Sequence, residues 1–245
     1  MFGYTLDKRY LYIILAIMVI SRLARYTTEG ILALLLSLPA VIIAITFHEF
    51  AHAYVADKLG DDTPRMQGRL TLNPLSHLDP VGFVLLIFAG FGWGKPVQIN
   101  PRNFNRNVSM DKGEMLVSIA GPAMNFILAI ISALILGAVY TFTSLSTYYG
   151  TAGSVILIIL EELVAINIGL GVFNLIPLPP LDGSKIFINF FPYNTRRWIM
   201  EHNMIFYIIF LAIWLTGLAG LIISPIIGVL YSGLMKLVLT LFGLF

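Results

Sequence analysis

Residues 31–60 read ILALLLSLPAVIIAITFHEFAHAYVADKLG. Ile31 to Phe47 carries no charged residue, and the apolar pattern runs on past His48 until Asp57, Lys58 and Gly60 close it. About 20 mostly apolar residues cross a hydrocarbon core about 30 Å thick, because a helix rises about 1.5 Å per residue. The stretch therefore reads as one membrane-crossing helix with Gly60 as its C-terminal cap. Composition agrees: 58% of the 245 residues are hydrophobic and 11% charged, far from the roughly half apolar and quarter charged of soluble domains.

Beyond this helix, residues 61–80 are polar and end at Asp79-Pro80. Val81 to Phe91 is apolar but too short to span, which suits a re-entrant or hairpin element. Residues 92–112 carry Gly, Pro, Asn and the basic Lys95, Arg102, Arg106 and Lys112, and Lys95 to Asn100 reads as a short strand. Met115 to Leu160 holds no charge. It has room for a complete span, a turn around Thr141 to Gly150, and the start of a second span that runs to about Phe173. After Pro177 to Pro180 comes a polar segment with Lys185, Arg196 and Arg197, then an apolar run from Met204 to Ile223 that Ser224-Pro225 should break. The last twenty residues, apolar but for Lys236, make a further span or a helix lying on the membrane.

On the other side, Lys8 and Arg9 precede the apolar run Tyr10 to Ile20. No small-residue cleavage site follows, and Arg22 and Arg25 come instead, so the segment reads as retained, a short span or an interfacial helix. The fold class is an all-α polytopic membrane protein of about five to six transmembrane helices with a small membrane-associated β or re-entrant element. One embedded domain fills residues 1–245: an N-terminal segment over 1–30 with a possible extra span, a core over 31–225, and a C-terminal hydrophobic helix over 226–245.

The net charge of +2, dispersed among loops, speaks against a nucleic-acid partner. With no cysteine, any metal must be held by His, Asp or Glu. The loops 57–80, 94–113 and 183–202 hold most of the basic residues while 141–153 holds none, which places the first three on the cytoplasmic face and the last outside.

His48-Glu49-Phe50-Ala51-His52 is an H-E-x-x-H sequence on the first of these helices. Residues four apart share a helix face, so two imidazoles can grip one metal ion. A catalytic zinc takes three protein ligands and leaves a position for water, whose proton Glu49 could accept. Ionisable groups inside a span cost roughly 2.5–3.5 kcal/mol each, so they are rarely idle. Asp182, near the cytoplasmic end of its own pass, matches the histidines in depth; on that ground it is a third ligand, a loop acid or a helix cap.

Around this motif stand FHEFAHAYVADKLGD at 47–61, GRLTLNPLSHLDPVG at 68–82, AGFGWGKPV at 89–97, AGPAMN at 120–125 and FNLIPLPPLDG at 173–183. The last contains N-x-x-P-x-x-x-x-D-G as Asn174, Pro177, Asp182 and Gly183. Over residues 31–225 the chain resembles the site-2 protease family of intramembrane zinc metalloproteases, in its short bacterial or archaeal form. The short form is expected to lack a PDZ domain, for which residues 94–154 leave no room, and to lack a CBS module.

The resemblance implies one Zn2+ per chain held by His48, His52 and Asp182, with Glu49 as general base and acid. It also implies Asn174 near the substrate backbone or the developing oxyanion, and a strand at Lys95 to Asn100 that pairs with substrate. Substrates would be transmembrane proteins or peptides, cut in regulated proteolysis or in clearance of signal-peptide remnants. The protein would lie in a prokaryotic cell membrane with its active site toward the cytoplasm.

His77 reads as a solvent-side or second-shell histidine, and Asn73, Asn125 and Gly90, Gly92 and Gly94 as turn or helix-contact residues. Glu161 and Glu162 precede Asn174 by about 13 residues, about 20 Å along a helix, which should bring them to the outer interface. A zinc or cation transporter would need polar residues along several helices, whereas these gather at one depth. A non-catalytic helix-binding protein would have no use for Glu49.

Overall fold

A computed structural model describes Ile20 and residues 27–89, 93–143 and 150–244. The N-terminal apolar run with Arg22 and Arg25, together with Gly90 and Gly92, lies outside the described residues apart from Ile20.

The described residues are helical, with no strand. In chain order the helices are α1 (Thr28–Lys58), α2 (Thr63–Met66), α3 (Pro80–Ala89), α4 (Met110–Phe142), α5 (Thr151–Asn174), α6 (Asp182–Ile188), α7 (Tyr193–Glu201), α8 (Asn203–Leu215) and α9 (Leu218–Leu241). Four of them, α1, α4, α5 and α9, are long and apolar enough to cross a membrane. The chain is an integral membrane protein.

Helix α1 ends as its sequence implies. Gly60 takes φ +105°, its N–H donates to the Asp57 carbonyl at 3.1 Å, and the Asp61 N–H donates to the Ala56 carbonyl at 3.0 Å. This paired closure satisfies carbonyls that the helix leaves open, and the left-handed turn suits glycine.

Helices α1, α4 and α5 pack on one another around small residues. Ala40, Ala44, Ala51, Ala53 and Ala56 of α1 are buried, as are Ala129 and Ala133 of α4. Without a hydrophobic drive between helices in lipid, such residues gain by letting backbones approach and maximise dispersion contacts. The large apolar side chains point outward instead: Ile127, Ile130, Ile131 and Ile135 of α4 and Leu221, Ile222, Val229 and Leu237 of α9 are exposed, as a lipid-facing surface requires. Helix α9 closes the bundle with Val238 against Ala129, Ala133, Val164 and Ile168.

Two sequence expectations change. The break in the C-terminal apolar region falls at Thr216-Gly217, where Gly217 takes φ +77° ahead of α9, and Pro225 sits inside α9. A left-handed glycine ends a helix at little cost, whereas a membrane helix tolerates a proline that forfeits one internal hydrogen bond. The boundary expected at residue 225 thus falls within α9, and the last residues belong to a helix of spanning length.

Lys95–Asn100 forms no strand. Its amides are taken elsewhere, Lys95 N–H by the His77 carbonyl at 2.6 Å, Val97 N–H by Glu49 Oε2 at 3.2 Å and Asn100 N–H by Asp61 Oδ2 at 2.6 Å. A single antiparallel bridge joins Leu78 to Gly94.

Glu161 and Glu162 lie ten and eleven residues into α5, so the helix continues about 15 Å beyond them. Glu161 is not left bare: the Tyr140 hydroxyl donates to it at 2.6 Å.

Candidate metal centre

His48 and His52 lie one turn apart on the buried face of α1, 7% and 8% exposed. Asp182 reaches them from the first residue of α6. The chain doubles back between Leu175 and Leu181 so tightly that a Cβ on Gly183 would collide with the Leu175 and Ile176 backbone, which is why a glycine follows the acid. On the opposite wall Gly121 of α4 faces the imidazoles, and a Cβ there would stand 2.6 Å from His48 Cε1.

Three atoms converge. His48 Nε2 and His52 Nε2 are 3.1 Å apart, and Asp182 Oδ2 lies 3.2 Å from the first and 3.1 Å from the second. The other ring nitrogens are already engaged: His52 Nδ1–H donates to the Val117 carbonyl at 2.7 Å and His48 Nδ1–H to Asn125 Oδ1 at 2.7 Å. In the neutral rings both Nε2 atoms then carry lone pairs, and the carboxylate is an acceptor as well. Three acceptors in mutual contact with no hydrogen between them repel one another unless a cation sits among them.

The spacing fits zinc. Bonds of about 2.0–2.1 Å in a tetrahedron put ligand atoms about 3.3 Å apart. The donor set of two neutral imidazoles and a carboxylate leaves a fourth position open, as catalytic zinc sites do.

Glu49, next to His48, lines the same cavity, and Oε2 accepts the Val97 N–H. The cavity holds about 620 Å³ and extends past Asn174, Phe173 and Phe210. Asn174 is its neighbour at the end of α5, with one amide hydrogen given to the Leu170 carbonyl at 3.0 Å. His77 stands apart from the donor set: it is fully buried and its Nε2–H donates to the Thr71 carbonyl at 2.7 Å. Asn73 caps a short turn by accepting the Leu75 N–H at 3.1 Å.

Asn125 departs from the reading of the sequence. It is a hydrogen-bond partner of His48, not a helix-contact residue alone. The signal that could have found it is an amide in the middle of a span, where polar groups are costly.

A bundle of membrane-crossing helices that brings two buried histidines and a half-buried aspartate together in a donor geometry that suits zinc, with a glutamate beside them, defines the class of membrane-embedded zinc metalloproteases. The chain belongs to peptidase family M50, whose model matches residues 36–216. It is 39% identical over 199 residues to YwhC of Bacillus subtilis (strain 168), a protein whose name describes a zinc metalloprotease, across 80% of this chain and 88% of that one. It is also 33% identical over 145 residues to Rip2 of Mycolicibacterium smegmatis (strain ATCC 700084 / mc(2)155), similarly named, across 58% of this chain and about half (52%) of that one. No solved structure matches the chain significantly. The zinc metalloprotease and the site-2 protease resemblance expected from the motifs are thereby borne out.

Proposed function

We propose that this zinc metalloprotease cleaves peptide bonds within or beside transmembrane segments of membrane-anchored proteins, with His48, His52 and Asp182 as its zinc ligands and Glu49 as its general base and acid. The observation that carries the reading is the meeting of three lone-pair atoms at 3.1–3.2 Å beside a carboxylate, in a cavity among membrane-crossing helices.

Zinc, when bound, acidifies water toward a pKa near 7 and polarises a carbonyl. The chain supplies the rest. Glu49 takes the proton of the water that attacks the scissile carbonyl and passes it to the amide nitrogen as the C–N bond breaks, leaving a carboxyl on one product and an amine on the other. The Val97 N–H holds one oxygen of Glu49 in place while the other is available for the proton. Asn174 has a second amide hydrogen, which donates to the carbonyl oxygen as charge builds there. The segment Lys95–Asn100 takes the unwound substrate alongside it, because a helical amide must become extended before it can reach the ligands.

The finer topology belongs to the same reading. It has five to six spans, with the ten-residue apolar α3 as a re-entrant element, and the basic loops at the metal end support its facing the cytoplasm of a prokaryotic cell. Remnants of signal peptides or anchored regulators are suitable substrates.

The test compares wild type with Glu49→Gln in detergent for bound zinc and for cleavage of single-span substrates. Retained zinc with cleavage reduced by at least about 100-fold is expected. Equal cleavage by both proteins overturns the role of Glu49, and zinc uptake into vesicles without cleavage favours a transporter.

A further inference from the structure

His48 is tied to a chain of amides that runs across the bundle. Asn125 of α4 accepts from His48 Nδ1–H at 2.7 Å and donates through Nδ2 to two acceptors, the Ala44 carbonyl at 3.2 Å and Asn167 Oδ1 at 2.9 Å. Asn167 of α5 donates in turn to the Leu163 carbonyl at 2.8 Å. Both asparagines are fully buried, and the described bonds use the oxygen of each amide.

The direction of this chain is set by its ends. Ala44 and Leu163 offer carbonyl oxygens, which only accept. Each asparagine must therefore turn its NH2 toward its own carbonyl and its oxygen away from it. For Asn167 that points the oxygen at Asn125; for Asn125 it points the oxygen at His48. The neutral imidazole has then no choice of tautomer: Nδ1 carries the hydrogen and Nε2 the lone pair. The Ala44 carbonyl lies four residues before His48 on α1, so the relay also locks the ring to its own helical turn.

We infer that Asn167, which touches none of the three metal-facing atoms, is a positioning residue that acts through Asn125 to hold His48 in the metal-binding tautomer and orientation. The inference rests on the zinc reading above. In a membrane interior, where no water competes for these amides, outer partners of this kind affect metal affinity by about 10–100-fold.

The test measures zinc affinity of the full chain in detergent, by chelator competition, for wild type, His48→Ala, Asn125→Leu, Asn167→Leu and the double variant Asn125→Leu/Asn167→Leu, each confirmed as folded by its melting curve. The expected result is about tenfold weaker zinc for Asn167→Leu, a larger loss for Asn125→Leu, and a double variant no weaker than Asn125→Leu alone, because the second change acts only through the first. Zinc affinity unchanged in a folded Asn167→Leu, or losses that multiply in the double variant, overturns the relay. Should leucine prevent folding, Asn167→Ala is read in the same way, since it removes the amide without adding bulk. If wild type binds no zinc, or His48→Ala binds it as wild type does, it is the metal-site reading that fails instead.

Discussion

The backbone N–H of Val97 donates to Glu49 Oε2 at 3.2 Å, so the extended segment after Gly94 is fastened directly to the acid of the H-E-x-x-H motif. The same segment is held at one end by the His77 carbonyl and the buried Arg69, which donates to the Lys95 carbonyl at 3.2 Å, and at the other by Asp61. Glu49 is thereby oriented by a backbone amide that no side-chain change removes, except one to proline.

Val97→Pro takes away that donor, because proline has no backbone N–H. Cleavage is expected to fall about 10- to 100-fold with zinc affinity unaltered, since no ligand is touched. Parallel assays of turnover and zinc content check this. Undiminished cleavage would show that the Val97 N–H has no part in orienting Glu49.

Asp61 is fully buried and anchors the far end of the segment. It accepts from the Thr63 hydroxyl at 2.5 Å, the Thr63 N–H at 3.1 Å, the Asn100 N–H at 2.6 Å and Asn103 Nδ2 at 3.0 Å. Burial pushes its carboxyl pKa up, but these donors together hold it below the ordinary value. A depressed carboxylate contributes stability that is present above its unfolded pKa near 4 and is lost as pH falls through the folded value. Asp61→Asn should cost about 2–3 kcal/mol at neutral pH and should show less acid sensitivity below pH 4 than wild type. Melting curves at pH 7 and pH 3.5 read both effects, and equal curves at pH 7 would contradict the anchor.

Much of this arrangement is legible in the chain. The span length of α1, its glycine stop and the H-E-x-x-H face each follow from spacing or motif, whereas depth alone left Asp182 open between a ligand, a loop acid and a cap, and only the family resemblance pointed to the first. The Asn125–Asn167 relay does not, because the two amides are 42 residues apart on different helices and meet only through packing. The turn at Gly217 was obscured by Pro225, a stronger breaker in water than in a membrane helix. Lys95–Asn100 looks like a strand from its alternating residues, yet strand pairing needs a neighbour, and here side chains and a loop carbonyl take that place.

Gly121 sets the distance between α4 and the two histidines. A methyl group there would meet His52 Nε2 and stand 2.6 Å from His48 Cε1 and His52 Cε1, so Gly121→Ala must push the rings or the helix apart. Zinc affinity is expected to drop by about tenfold or more, from displaced ligands alone. Gly220 of α9 provides the contrast: no atom beyond its own helix backbone and chain neighbours lies within 4 Å of its would-be Cβ, and Gly220→Ala should leave zinc binding as it is. Equal affinity for the two variants would mean that the site relaxes around an added methyl.

The orientation of the bundle can be read because the chain has no cysteine, so single cysteines introduced by mutation report alone. The C-terminal end of α1, the N-terminal end of α4 and the start of α6 lie at the metal end, and the loops there carry Arg65, Arg69, Lys95, Arg102 and Arg106. Short basic loops stay on the cytoplasmic side during insertion. Arg106→Cys, at an exposed loop position, should therefore resist a membrane-impermeant maleimide in intact cells and react once they are permeabilised. Ala152→Cys, exposed near the start of α5, should react in intact cells. The opposite pattern would place the metal end outside and remove cytoplasmic remnants from its reach, leaving the chemistry proposed for His48, His52 and Asp182 untouched.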